Sequence, residues 1–260
     1  MKNWLAWGLV CAIVMAGLLT APTVAQFNQP LLSTPAAGGG CTMPPHRTPG
    51  HSVFGSSTPV NSATLTLPAA ATAGDLIVIY VIWYSANSPT NAVPISGVTD
   101  NGTTGAYTLL DSDVLVTSAA SYWAKPTGGP TTVTVTWGGI GVEFQQIFSD
   151  EFGTMATVAA NAHNRQTNPG IGADAVTSTV KTVNACDLIW SGSMTGGGIS
   201  SPYMVAGTSF TLSQQDITTG SWAGSTEYRQ PAAAGSYAGT WTNGQTGANL
   251  LNLTFMAVLR

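Results

Sequence analysis

The chain of 260 residues is 44% hydrophobic, 8% aromatic and only 7% charged, far too apolar and too lightly charged to be disordered. Seven Lys and Arg against eleven Asp and Glu give a formal net charge of -4, which leaves no basic field for holding nucleic acid. Gly, Ser, Thr and Asn fill the places that charged residues take in cytosolic proteins, and this points to an extracellular β protein.

Lys2 precedes an uncharged apolar run from Trp4 to Leu19, and Thr23-Val24-Ala25 offers small residues for cleavage. Residues 1–25 therefore read as a secretory signal peptide, because the run falls short of the about 20 apolar residues that a membrane span needs. The mature chain is expected to have no transmembrane segment and to be secreted, extracellular or attached to a cell surface or virion. From Gln26 to Pro59, six prolines (Pro30, Pro35, Pro44, Pro45, Pro49 and Pro59) alternate with Gly38-Gly39-Gly40, Gly50 and Gly55. That composition predicts an extended arm or linker, residues 26–59, without a hydrogen-bonded ladder. His46, Arg47 and His51 are expected to lie in solvent there.

Beyond Pro59, short Val-, Ile-, Thr- and aromatic-rich runs are separated by Gly, Asn, Asp and Pro, which is an all-β pattern. Strands are expected near 60–67, 75–84, 95–99, 106–111, 113–124, 131–137, 142–149, 174–181, 186–194, 204–213, 223–230, 235–242 and 249–259, with a short helical turn near Met155 to Asn161. In the run Thr131 to Trp137, Val133, Val135 and Trp137 share one face and the threonines the other, as a half-buried antiparallel strand requires. Residues 75–84 are apolar on both faces, so the arm, a long loop or another chain has to cover the second one.

The halves about 60–150 and 174–260 resemble each other. Asp75-Leu76-Ile77 matches Asp187-Leu188-Ile189, Tyr107-Thr108-Leu109 matches Phe210-Thr211-Leu212, and Tyr122, Pro126 and Trp137 recur as Tyr228, Pro231 and Trp241. This near-constant offset suggests duplication. The expected fold is one two-layer antiparallel β-sandwich of jelly-roll or Greek-key type over 60–260, with two small sandwiches as the alternative.

Catalytic signals are few. The sequence has no Gly-x-Ser-x-Gly elbow, and His163, the histidine outside the arm, sits in a polar run expected to be a solvated loop. Glycoside hydrolysis needs two facing carboxylates, and Glu143, Glu151 and Glu227 show no spacing that pairs them within one strand. The chain is thus expected not to be an enzyme, a glycoside hydrolase being the alternative. Asp100, Asp111 and Asp113, in Asp100-Asn101-Gly102 and Asp111-Ser112-Asp113, form the oxygen-rich turns that bind calcium in secreted sandwiches, although turns also require Asp and Asn for conformational reasons. No other cofactor is indicated. Asn101-Gly102-Thr103 and Asn252-Leu253-Thr254 are glycosylation sequons, the second inside an expected strand.

Cys11 falls in the signal peptide, leaving Cys41 and Cys186 as a pair in an oxidising compartment. They predict a disulfide tying the arm to the sandwich, with an intermolecular bridge or a buried Cys186 thiol as alternatives. Trp123, Trp222 and Tyr203 are the aromatics expected to reach a ligand: Trp123 because it faces away from Tyr122, Trp222 and Tyr203 because they sit in expected loops.

The run Gly74-Asp75-Leu76-Ile77-Val78, the turn Asp100-Asn101-Gly102 leading to Tyr107-Thr108, Tyr122-Trp123-Ala124-Lys125 followed by Thr132-Val133-Thr134-Val135, and Glu227-Tyr228-Arg229 with Gly235-Ser236-Tyr237 resemble a widespread group of bacterial secreted and phage-associated sandwich proteins. The resemblance spans roughly residues 60–260 and implies a surface or virion-associated binding or structural role, without catalytic residues to carry over. Two functions follow from these observations. One is a non-catalytic surface protein that assembles with copies of itself; the other is a module that binds extracellular polysaccharide through exposed aromatics.

Overall fold

Alternating and doubly apolar runs of β-branched and aromatic residues fold here into strands only. The structure, a computed structural model, describes residues 41–54, 58–85, 92–102, 105–139, 141–167, 175–176, 180–182, 184–196, 204–216, 222–243 and 251–260. The expected signal peptide, the first part of the arm and Tyr203 lie outside these residues.

The first half contributes β1 (His46–Phe54), β2 (Ser62–Thr66), β3 (Leu76–Tyr84), β4 (Ile95–Asp100), β5 (Thr108–Asp113), β6 (Thr117–Ala124), β7 (Thr132–Trp137) and β8 (Glu143–Phe152). The second contributes β9 (Val158–Thr167), β10 (Ala175–Val176), β11 (Val180–Thr182), β12 (Leu188–Gly196), β13 (Met204–Ala206), β14 (Thr211–Asp216), β15 (Trp222–Arg229), β16 (Gly235–Tyr237), β17 (Thr240–Asn243) and β18 (Leu251–Leu259). A five-stranded sheet runs β1-β8-β3-β6-β5 and a three-stranded sheet β2-β7-β4, both antiparallel throughout. The second half forms a five-stranded sheet β9-β18-β12-β15-β14, a three-stranded sheet β10-β17-β13 and the pair β11-β16. In each half the first strand lies beside the last, and successive strands switch between sheets except for the hairpins β5-β6 and β14-β15, which is jelly-roll winding. Leu76-Ile77 and Leu188-Ile189 open the central strands β3 and β12, Thr108-Leu109 and Thr211-Leu212 open the edge strands β5 and β14, and Tyr122 and Tyr228 lie on β6 and β15.

The all-β antiparallel sandwich is as expected, and its layers number more than two because β3 is buried on both sides. Ile77, Ile79, Val81 and Trp83 join Leu65, Val133, Val135 and Trp137 in a core under the three-stranded sheet β2-β7-β4. Leu76, Val78, Tyr80 and Ile82 turn the other way and share a second core with Leu188, Trp190, Leu253 and Phe255. The second half of the chain therefore covers the second apolar face. Tyr80 marks the centre of that contact. Its ring lies 5.9 Å from Trp190 and 5.6 Å from Phe255, and its hydroxyl donates to the Leu253 carbonyl at 3.2 Å. Each such side chain stabilises by about 2–3 kcal/mol on burial, so the two large sheets hold each other.

The single strands expected at 204–213 and 235–242 each divide into two, β13 with β14 and β16 with β17, and two further segments depart from the sequence-based expectation more fully. Residues His46 to Phe54 form a strand, although the prolines argued for an arm without a ladder. They pair with β8, and the register shifts between Arg47 and Gly50, so Thr48 and Pro49 fall in a bulge. An edge position and a bulge are where proline's missing N–H is tolerated. Val158 to Thr167, expected as a turn and a polar loop, pair with β18 along their length as the opposite edge. Cys41 and Cys186 form the disulfide that joins the two halves.

Candidate functional site

Ser191, Ser193 and Thr195 alternate with Trp190, Gly192 and Met194 along β12, a pattern that by period alone places the hydroxyls on a solvated face. That face is instead closed over by the outer strands of the second half. Ser191, Ser193, Thr195, Ser225, Glu227 and Asn252 are fully buried, whereas the corresponding layer of the first half is built from Ile77, Ile79, Val81 and Trp83. The hydroxyls satisfy one another: Ser193 and Thr254 share a hydrogen bond of 2.8 Å, Thr195 donates to Asn252 Oδ1 at 2.8 Å, and the Trp241 indole N–H donates to Ser191 at 3.2 Å. The Gln215 amide reaches the Met204 carbonyl at 2.6 Å and Ser225 at 3.2 Å.

Glu227 is the titratable group of this layer. Its Oε2 accepts the Gly207 N–H at 2.9 Å, and its Oε1 has no hydrogen-bond partner. Burial pushes its carboxyl up to about 9 against the opposing pull of the Gly207 and Thr240 N–H groups, so it is neutral at pH 7. A buried neutral carboxyl is a general acid only when a second group takes the complementary role. The other two glutamates belong to β8 in the first half, where Glu151 accepts the Thr72 N–H at 2.7 Å.

At one seam between the two large sheets, His46 of β1, Asp150 of β8, Trp190 of β12 and Ser213 of β14 converge. His46, expected in solvent, has a side chain only 14% exposed, stacked on Phe152 and tilted against Tyr228. Its Nε2 lies 3.0 Å from Asp150 Oδ1 and 3.2 Å from Ser213 Oγ. Ser213 also donates to Asp150 Oδ1, and Trp190 Nε1 donates to Oδ2 at 2.8 Å. Burial alone would raise the Asp150 carboxyl; the His46 bond and charge, with the Ser213 and Trp190 donors, outweigh it and hold it low. A nucleophile relay needs serine and carboxylate on opposite imidazole nitrogens. Here both meet Nε2, so the trio is arranged as an anion cage around Asp150.

The opposite seam takes two of the three acids expected to bind calcium, Asp111 and Asp113. Asp111 Oδ2 lies 2.9 Å from His163 Nδ1, and Asp113 pairs with Arg165, both partners being on β9. Asp100, on β4 of the outer sheet, caps its own turn by accepting the Gly102 N–H at 2.9 Å and the Tyr107 hydroxyl at 3.0 Å. Among the described residues no group of three His, Cys, Asp or Glu gathers as metal ligands. Each of the three aspartates has a structural partner that turn composition alone did not reveal. His163, expected in a solvated loop, is correspondingly on a strand and stacked 5.4 Å from Phe255.

The aromatics expected at a ligand surface are also placed. Trp123 does face away from Tyr122, but that side is the junction with the second half, where it packs against the shared core. Trp222 opens β15 opposite Gly196 instead of lying in a loop. Of the two sequons, Asn252 is buried, and the Asn101 amide is engaged: its Oδ1 accepts the Thr131 and Thr132 N–H groups at 2.8 and 3.0 Å.

No family model matches the chain, and neither a curated protein nor a solved structure matches it.

Proposed function

We propose that this protein is a non-catalytic extracellular scaffold module, a secreted or surface-attached building block with a structural or assembly role. The observation that carries this reading is where the charges go. Asp75, Asp111, Asp113, Asp150 and Asp187 are each bound by an Arg or His, and these contacts brace strand edges and seams. The equivalent strand orders of the two halves support reading them as two copies of one jelly roll, a rigid block tied by a disulfide of the kind that persists in oxidising compartments.

The outer sheet of the first half supplies a surface for lateral association. Thr64, Thr66, Thr99 and Thr136 are exposed on it, and β2 and β4 are its two edges. Neither edge strand contains Pro or Lys, the residues that blunt edge pairing. Size-exclusion chromatography with light scattering tests the proposal on the wild type and on Thr99→Lys. Concentration-dependent oligomers of the wild type that dissociate in the variant are expected. A wild type that stays monomeric through the micromolar range overturns the assembly role.

A further inference from the structure

Arg229 lies between two aromatic rings. It ends β15 opposite Ile189, and its guanidinium carbon stands 5.8 Å from the Phe210 ring centre and 5.2 Å from that of Tyr237. Both rings pack on the buried cluster of Ile189, Met256 and Val258, and the Tyr237 hydroxyl donates to the Ala233 carbonyl at 2.7 Å. The rings are anchored, so they fix the guanidinium in place.

The other described arginines each meet a carboxylate: Arg47 with Asp75 at 2.9 Å, Arg165 with Asp113 at 2.7 Å and Arg260 with Asp187 at 3.0 Å. Among the described residues, no carboxylate is in ion-pair range of Arg229. Contact with the rings favours the cation, while its in-plane N–H donors keep the fork geometry that matches the two oxygens of a carboxylate. An arginine held in this way, with no carboxylate partner among the described residues, is preorganised for an external anion.

We propose that Arg229, flanked by Phe210 and Tyr237, is a binding subsite for the carboxylate of an acidic, uronate-type polysaccharide. A uronate carries its planar carboxylate on a pyranose ring whose C–H face suits neighbouring aromatic surface; an acidic peptide brings no such ring. This inference stands on Arg229 and its two rings and does not depend on the scaffold role.

The test compares retention of the mature protein on immobilised polygalacturonate with retention on its methyl-esterified form, which keeps the sugar ring and removes the charge. Retention by the acidic polymer only, weakened by added salt, is expected. Arg229→Gln should reduce it roughly ten- to a hundredfold, the range of a lost charge-assisted hydrogen bond. Arg229→Lys keeps the charge without the fork and should retain part of it, both variants melting close to the wild type. Equal retention on the two polymers, no retention on either, or unchanged retention in Arg229→Gln overturns the proposal. Displacement by polyglutamate as effective as by free polygalacturonate would reassign the subsite to acidic peptide and overturn it too. If Arg229→Gln melts early, Arg229→Lys carries the decision: full wild-type retention there rejects a fork-specific contact.

Discussion

Arg165 grips Asp113 with two hydrogen bonds, Nε to Oδ2 at 2.7 Å and Nη2 to Oδ1 at 2.8 Å, across the seam where β9 of the second half meets β5 of the first. The same Nη2 also donates to the Thr117 carbonyl at 2.8 Å. The two side chains are 19% and 14% exposed, so the pair is mostly desolvated, and removing one partner strands the other. Asp113→Ala should lower the unfolding free energy by about 2–4 kcal/mol, whereas Arg165→Met with Asp113→Leu should cost clearly less than the single change. Urea unfolding of the three proteins checks this; equal losses in single and double variants would refute it.

A pH dependence follows from two carboxyls shifted in opposite directions. The folded-state value of Glu227, about 9, lies above its ordinary 4.5, so the folded state holds that proton more tightly. Its contribution is complete below about pH 4.5 and is lost as pH rises toward 9. Asp150 is held below its ordinary 3.8, so its contribution is present above that value and is lost as pH falls. Together they place the stability maximum near the acid end of the usual range. Glu227→Gln keeps an amide oxygen for the Gly207 N–H and should flatten the decline between pH 5 and 9. Thermal melts across that window decide, and an unchanged slope in the variant would rule Glu227 out as its source.

The disulfide spans a sequence separation of 145 residues. In the chain-entropy treatment a loop of that length stabilises by about 4–5 kcal/mol, and measured values often fall lower. Cys41→Ser is expected to lose about 2–5 kcal/mol while the strand signature in circular dichroism persists. A loss under a few tenths of a kcal/mol would mean the two halves gain nothing from the link.

Close approach of the two large sheets makes Gly224 a sensitive position. A Cβ there would stand 2.3 Å from Gln146 Oε1 and 2.7 Å from the Phe148 ring. Gly224→Ala should destabilise by about 1–3 kcal/mol through overpacking. Gly97→Ala is the control, because nothing lies within 4 Å of its Cβ position. Similar unfolding midpoints for both variants would contradict the tight interface.

Trp123→Ala is expected to cost about 3 kcal/mol or somewhat less, since the ring is partly buried against the shared core. A variant that melts like the wild type and loses polysaccharide retention would instead return Trp123 to a ligand surface.

The all-β class and the antiparallel sandwich were legible in the chain, because β-branched runs between turn residues are local signals, whereas the even cysteine pair left an intramolecular bond, an intermolecular bridge and a buried thiol open until the fold brought Cys41 to Cys186. The sequence also showed that residues 75–84 needed cover on two sides. What supplies it emerged from the folded chain, since period-2 alternation tells which residues share a face and never whether water or another sheet lies opposite. For that reason the Ser191, Ser193 and Thr195 row proved to be interior and Trp123 a junction residue. The edge strands β1 and β9 escaped the pattern because their ladders are one-sided and their residues polar or proline-bearing. The partners of Asp111, Asp113, Asp150 and Arg229 come from segments that only folding brings together, and an ion pair or an aromatic clamp across such distances leaves no periodic trace in the chain.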